Sequence, residues 1–495
     1  MEAIQLLSFI LAIIIVCLAQ YRRRRSTARS HRQPTIKIRD AAVARQALIE
    51  QADVFSNRPA TPFPVPLITG RRRRSQSHGL TTVPYGPHWR ALRSNLNAAI
   101  LQPWRQGLLA PLQQDAVDAH VAGLGAGDVV IRHKLYPAVF SMLARVCFGD
   151  DVDARHVRSM EPMMLEFTAA IAEAKVFARS TMARLWHWRK WRRFLAFRSQ
   201  QAALFVPLIE AARRRRQRTG HHDGAGDSGG VRRPYLDTLI DNRSIPDEDD
   251  PRDKRALTEG EMVSLVVEFF GAAEGVVTAL EWTLAHLVNQ PEIQAKLRRE
   301  VIAGNHGHGG GDADDGSVSD KCPAGRSTTY LHAVVLEGLR LHPPFQLVMR
   351  EVRSEGAVVG TATVPAGGMR VQFMLGDIGK DSRLWTDPDE FRPERFLPGG
   401  EGEDVGPVPA GPKEIRMMPF GAGQRACPGA SMAVQFIKDF LAPLVREFEW
   451  TAAALPTVGE EGSGSADGGG VDMTELYGFI TKMKSPLRAH ITPRA

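Results

Sequence analysis

Cysteine is scarce in this chain. Cys17, Cys147, Cys322 and Cys427 are the only four in 495 residues, and they stand far apart. That spacing supports no disulfide framework and suits a reducing, cytosol-facing compartment. No internal repeat is present, which excludes the repeat architectures. A standard metal-ligand spacing is missing as well. The one suggestive stretch, with His306, His308, Asp312, Asp314 and Asp315, lies in the low-complexity segment Gly304–Arg326 and matches no ligand pattern. There is no acidic excess either: 63 lysines and arginines against 55 aspartates and glutamates leave a net charge of +8. The surplus is clustered in Arg22–Arg25, Arg71–Arg74 and Arg213–Arg216, but no nucleic-acid module accompanies these runs. They are read as solvated loops, as membrane-facing surface, or as an attraction for an acidic partner protein, and nucleic acid is not expected as a partner.

Long apolar runs are equally rare. Ile4–Ala19 is almost continuously apolar and is followed at once by Arg22–Arg25. It falls slightly short of the roughly 20 residues of a spanning helix, and Met1–Ala3 and Tyr21 extend it. Glu2 precedes the run and the positive charge follows it. That order points to an uncleaved signal-anchor rather than a cleaved signal peptide, with the remainder of the chain in the cytosol. The second run, Thr258–Asn289, is interrupted by Glu268, Glu274 and Glu281. It is expected to be one long buried helix, opened by a capping box (Thr258, Glu261) and closed before Pro291.

Elsewhere, periodicity predicts helices over Ala41–Gln51, Trp89–Leu101, Leu108–Val121, Leu135–Phe148 and Pro162–Phe177. Short strands are expected at Thr35–Ile38, Ala357–Val364 and near Met369–Phe373. Gly220–Gly230, Gly399–Gly411 and Gly459–Gly470 read as glycine-rich loops. The fold class is therefore mainly α with minor β.

The chemistry concentrates on Cys427. The stretch Pro419-Phe420-Gly421-Ala422-Gly423-Gln424-Arg425-Ala426-Cys427-Pro428-Gly429 leads into an amphipathic helix marked by Val434, Ile437, Leu441, Leu444 and Phe448. A thiolate before a helix N-terminus gains from the dipole and from free N–H groups, glycines let amides approach the sulfur, and Arg425 adds a cation. This is a loop suited to holding a deprotonated sulfur as a ligand, rather than a structural cysteine in a turn.

The pattern Phe420, Gly423, Arg425, Cys427, Gly429 resembles the haem-ligand loop of the cytochrome P450 family, plant microsomal type. The resemblance implies a single large haem domain (35–495) behind a membrane anchor (1–21) and a basic linker (22–34). It implies haem (iron protoporphyrin IX) with Cys427 as axial ligand to the metal, and Phe420 and Gly423 in the cofactor loop. Trp89 and Arg93 match the family's Trp-x-x-x-Arg helix, and Arg350 and Arg425 match further haem-propionate positions; arginine suits carboxylates by its fork geometry. Glu337, Arg340 and Arg395 match the elements that form a buried ionic network beneath the haem. Gly271–Glu274 resembles the oxygen-activation helix, with Glu274 at the acidic, proton-relaying position. Substrate contacts are expected from Thr61–Ser77, Val266–Phe270, Phe345–Met349 and Leu476–Met483.

Two features depart from the family. Gly275 stands where a threonine is usual, and Thr278 is the nearest hydroxyl in sequence. After the apolar run, Ser26–Pro34 leads almost directly into a strand, so roughly forty to fifty residues of the family's usual N-terminal structure are absent from the pattern. The implied activity is a monooxygenase. It inserts one oxygen atom of O2 into an apolar small molecule, with electrons from NADPH through NADPH–cytochrome P450 reductase, at the endoplasmic reticulum membrane. Gly275 supports an alternative, a haem-thiolate isomerase or lyase of hydroperoxides that needs no reductase. The shortened N-terminal pattern supports a third reading, a catalytically impaired haem-binding remnant.

Overall fold

A computed structural model of the chain describes residues 34–59, 67–69, 73–75, 78–150, 152–177, 181–219, 233–246, 253–306, 329–406, 414–453 and 470–494. The expected anchor and basic linker lie outside these residues. The chain opens with β1 (Thr35–Ile38) and α1 (Ala41–Arg45), which runs on as a π turn, Gln46–Glu50. Asp40 caps α1, its carboxylate accepting from Val43 N at 3.0 Å. Helices follow as α2 (Pro87–Leu96), α3 (Pro103–Ala122), α4 (Ile131–Phe148), α5 (Ala154–Phe177), α6 (Trp188–Thr219) and α7 (Tyr235–Asp241), with the short strand β2 (Gly127–Val130) before α4.

The expected long helix is present but in two pieces, α8 (Glu259–Phe270) and α9 (Ala272–Asn289). The capping box is formed: Glu261 N donates to Thr258 Oγ1 at 3.2 Å, and Thr258 N to Glu261 Oε2 at 2.8 Å. The break falls at Gly271, whose φ of −58° and ψ of −19° keep the right-handed helical region but tighten it towards a 3-10 turn. Periodicity carries no sign of it, because a glycine interrupts the rod without disturbing the apolar pattern. The pair contains an 18-residue window of mean hydropathy 1.7 that is 72% buried, as a core helix rather than a span. Leu280, Trp282, Leu284, Ala285 and Leu287 of α9 are all fully buried. Helices α4 and α9 pack together, with α10 (Pro291–His306), α11 (Tyr330–Leu341) and α12 (Ala430–Glu447) also against α9.

Two three-stranded sheets flank this core. In one, β4 (Met369–Met374) lies between β1, parallel, and β3 (Leu347–Val352), antiparallel. In the other, β6 (Arg488–Pro493) lies between β5 (Phe448–Ala452) and β2, both antiparallel.

The arginine run Arg213–Arg216 is part of α6 and not a solvated loop. Arg213 pairs with Glu259 (3.0 Å), Arg214 with Glu210 (3.6 Å), Arg215 with Asp237 (2.7 Å), and Arg216 with Asp241. Under the core, Glu337 Oε2 accepts from Arg340 Nε at 2.7 Å, and Glu337 Oε1 from Arg395 Nε at 3.0 Å and Arg392 N at 2.8 Å. All three charged side chains are fully buried, so the network survives because each charge is compensated.

Candidate functional site

The cysteine loop is shaped by two left-handed glycines, Gly421 and Gly423, both at φ +72°. A Cβ at Gly423 would lie 1.9 Å from the Leu48 carbonyl, so the loop docks against the π turn as only glycine permits. Cys427 N donates to the carbonyl of Phe420 at 2.9 Å, and Ala426 N to that of Gly423 at 3.0 Å. These bonds curl the loop and place Cys427 just ahead of α12. Cys427 is exposed although neighbours crowd it on most sides, as befits a group facing an interior opening. Burial pushes the thiol pKa up, while the Gly429 N–H, Arg93 and Arg58 pull it down and lose. Burial thus outweighs the cations at this sulfur.

Four arginines surround this cysteine. Arg93 Nη1 donates to the Ala426 carbonyl at 2.9 Å and stands over Trp89, itself buried, at 6.0 Å. Arg425 stands over the same ring at 4.8 Å. It also donates to the carbonyls of Ser56 (3.0 Å), Leu80 (3.0 Å) and Val83 (2.7 Å), so most of its fork serves the backbone. Arg350, from β3, is 1% exposed, and its Nε is buried without an acceptor. The fourth is Arg58, which sequence reasoning missed; it lies within electrostatic reach of Cys427 and Glu268. Burial and the mutual repulsion of these cations lower Arg350 to about 9 and Arg425 to about 10. A nest of repelling guanidiniums with an orphaned donor fits a dianion such as the two propionates of haem. The residues present thus suit that group.

The buried α8–α9 rod opens on one face. Ala272 is exposed, Gly275 is half-buried, and a Cβ at Gly275 would meet nothing within 4 Å. Glu268, one turn before Gly271, accepts from Thr81 N and the Thr81 hydroxyl, fastening the Gly79–Thr81 segment to α8. Burial raises its pKa, partly offset by Thr81 and Arg58.

Glu274 turns to a different neighbourhood. Its Oε1 accepts from Arg132 Nη1 at 2.8 Å and pairs with Lys482 Nζ at 2.5 Å. Arg132 also holds Glu281 and donates from Nη2 to Thr278 Oγ1 at 3.1 Å. The acidic group and the nearest hydroxyl are thus bound together against α4, and Thr278 does not stand in for the threonine replaced by Gly275. Of the expected substrate segments, Thr61–Ser77 lies outside the residues described apart from the backbone of two short strands. Val266 and Phe270 are core residues. Phe345 and Phe479 meet edge to face at 5.4 Å, and Thr481 N donates to the Pro344 carbonyl at 2.9 Å, so the two C-terminal segments form one wall. Leu476 and Phe479 on that wall are 54% and 48% exposed.

Beyond Arg93, a groove of about 680 Å³ opens between the π turn, α2 and the cysteine loop, lined by Leu48, Arg90, Arg93, Asn97, Gly423 and Gln424.

A family model described as Cytochrome P450 matches residues 21–460. Cytochrome P450 89A9 of Arabidopsis thaliana is 33% identical over 93% of this chain and 85% of its own length. Flavonoid 3'-monooxygenase of Petunia hybrida is 27% identical over 92% of this chain and 82% of its own. A zebra fish cytochrome P450 structure superposes with a TM-score of 0.66, covering 93% of both chains at 19% identity, a likeness of fold. This chain belongs to the cytochrome P450 family, as a P450 monooxygenase of plant type built on haem and O2.

Proposed function

We propose that Cys427 is the axial ligand of the haem iron in a membrane-anchored enzyme that inserts one oxygen atom of O2 into a largely apolar small molecule. The observation that carries this reading is the cysteine loop set beside a cluster of four arginines, Arg58 and Arg93 of which act directly on Cys427. When bound, haem supplies the oxygen activation, favoured by thiolate donation. The chain's own residues hold and shape. Arg58, Arg93, Arg350 and Arg425 balance the propionate charge beside Trp89. Gly275 and Ala272 leave room for a diatomic gas. Glu274 is the proton-relaying carboxylate, and it moves a proton at Oε1 only after exchanging Arg132 or Lys482 for a water.

Electrons come from NADPH through a flavoprotein reductase, which approaches the cysteine loop from the groove bearing Arg90 and Arg93. Residues 1–21 anchor the chain in the endoplasmic reticulum membrane with the 35–495 haem domain in the cytosol. Leu185 (67% exposed), Trp186 (85%) and Trp188 (49%) add an apolar surface consistent with contact to lipid. One observation favours a second reading: with Thr278 held by Arg132, no described hydroxyl of α9 stands at the Gly275 opening, which suits a hydroperoxide substrate whose isomerisation needs no reductase.

The deciding experiment has two steps. The ferrous CO-bound difference spectrum of the full-length protein is expected to show the strongly red-shifted band of thiolate ligation, and Cys427→Ala to lose it. Oxygen consumption with NADPH and reductase then separates the readings. A red-shifted band without NADPH-dependent turnover on any substrate, but with turnover of a lipid hydroperoxide, would reverse the order of the two.

A further inference from the structure

The inward face of α6 carries a polar pair that nothing in the site above uses. Arg198 is 8% exposed and Gln201 is 0% exposed. Arg198 Nη1 donates to Gln201 Oε1 at 2.5 Å. Arg198 Nε and Gln201 Nε2 are both buried without an acceptor. Among the described residues no charge offsets the burial of this guanidinium, and that burial brings its pKa down to about 10. Its surroundings are aromatic. Phe194, Phe197 and Phe205 share the buried face of α6, Phe197 stacks on Phe167 of α5 at 6.4 Å, and Phe205 stands 6.2 Å from Phe270 of α8. Phe270 directly precedes the Gly271 break, so the pair sits about 10 Å along α6 from the contact that borders the oxygen-side opening.

An uncompensated buried cation is strongly unfavourable, and an unanswered amide donor beside it adds to the burden. Away from the arginine cluster of the cysteine loop, Arg340 and Arg395 are answered by Glu337, and Arg132 by Glu274 and Glu281. Two free N–H donors next to a guanidinium match a carboxylate, which accepts only, through two oxygens. We propose that Arg198 and Gln201 receive the carboxylate of the substrate, which is therefore an amphipathic acid rather than a neutral hydrocarbon, with its apolar part directed toward Gly271. Binding itself stands on the pair alone; oxidation of the bound acid rests on the monooxygenase reading.

The test pairs hexanoate, dodecanoate and cinnamate with their methyl esters. Binding to the haem-loaded full-length enzyme is read by the Soret spin-state shift and, independently, by thermal shift. For at least one pair the acid is expected to bind ten-fold or more tightly than its ester. Arg198→Met is expected to bring the acid down to the ester's affinity while leaving the ester's affinity and the melting temperature unchanged or higher. Gln201→Leu is expected to remove part of the preference. Equal affinities for acid and ester in every pair would overturn the assignment. So would an Arg198→Met variant that loses acid and ester together and melts lower, since that is the mark of a structural arginine. Should the CO-bound spectrum show no thiolate ligation, the haem reading fails, and the acid preference in the thermal shift still decides the Arg198 site.

Discussion

Gly423 has no space for even one more carbon. Its φ of +72° and the 1.9 Å approach of the Leu48 carbonyl make Gly423→Ala doubly unfavourable. Strain alone costs about 1–3 kcal/mol. The variant is expected to express with little haem, seen as a collapsed ratio of Soret to protein absorbance. Gly275 is the opposite case, since a side chain there meets nothing within 4 Å. Gly275→Thr should fold at least as well as the parent, gaining a few tenths of a kcal/mol of helix propensity. Under the monooxygenase reading it should also raise the product formed per NADPH consumed, and an unchanged or lower ratio would show that this cavity handles protons without a side-chain hydroxyl. At this scale the sequence was most legible where fixed residue types recur in register: Glu337, Arg340 and Arg395 form the buried network their patterns pointed to. It was silent on Arg58, a lone cation ahead of a proline with no periodicity around it. It was silent too on Arg132, whose bond to Glu274 spans 142 residues of chain.

Among the elements, α6 is the longest that periodicity failed to find, and α7 was missed with it. The 32 residues of α6 mix aromatics, glutamines and arginines and include Pro207, so no clean apolar stripe forms, and tertiary pairing stabilises it instead. The arginine run is held to α7 by Asp237 and Asp241. Replacing both with asparagine leaves consecutive cations facing each other. The ion pairs are partly exposed, so the loss is expected to be about 1–2 kcal/mol in total, and to shrink as salt is added. Denaturant midpoints at low and high ionic strength measure it; a loss independent of salt would mean packing, not charge, joins the helices. The capping box of α8 was readable from Thr258 and Glu261, whereas the break at Gly271 was not, because a pattern of apolar residues records which face is buried and not whether the rod is straight.

For the molecule as a whole, acidity is the weak flank. Burial holds His120 down at about 4, with Lys134 adding to it, and pushes His286 well below its usual value. A histidine kept neutral by the fold contributes stability that is complete above its unfolded pKa of 6.5 and is lost as pH falls toward the folded value. For His120 the full loss between pH 6.5 and 4 is about 3 kcal/mol. His120 meets Phe440 edge to face and its Nε2 is buried without a partner, so His120→Leu should flatten the stability profile over that window. Melting temperatures of the two proteins that fall in parallel from pH 6.5 to 4.5 would rule this out.

The four arginines around the cysteine loop have a consequence beyond catalysis. Before haem arrives, the chain must hold Arg58, Arg93, Arg350 and Arg425 together against their own repulsion, with one donor unanswered. Binding a dianion there is therefore also a folding event, worth about 2.7 kcal/mol when haem stands at a hundred times its dissociation constant. Haem supply then sets how much of this protein survives synthesis: a starved cell loses the polypeptide itself to its proteases. In expression cultures, feeding a haem precursor should raise the amount of intact chain, not merely its colour.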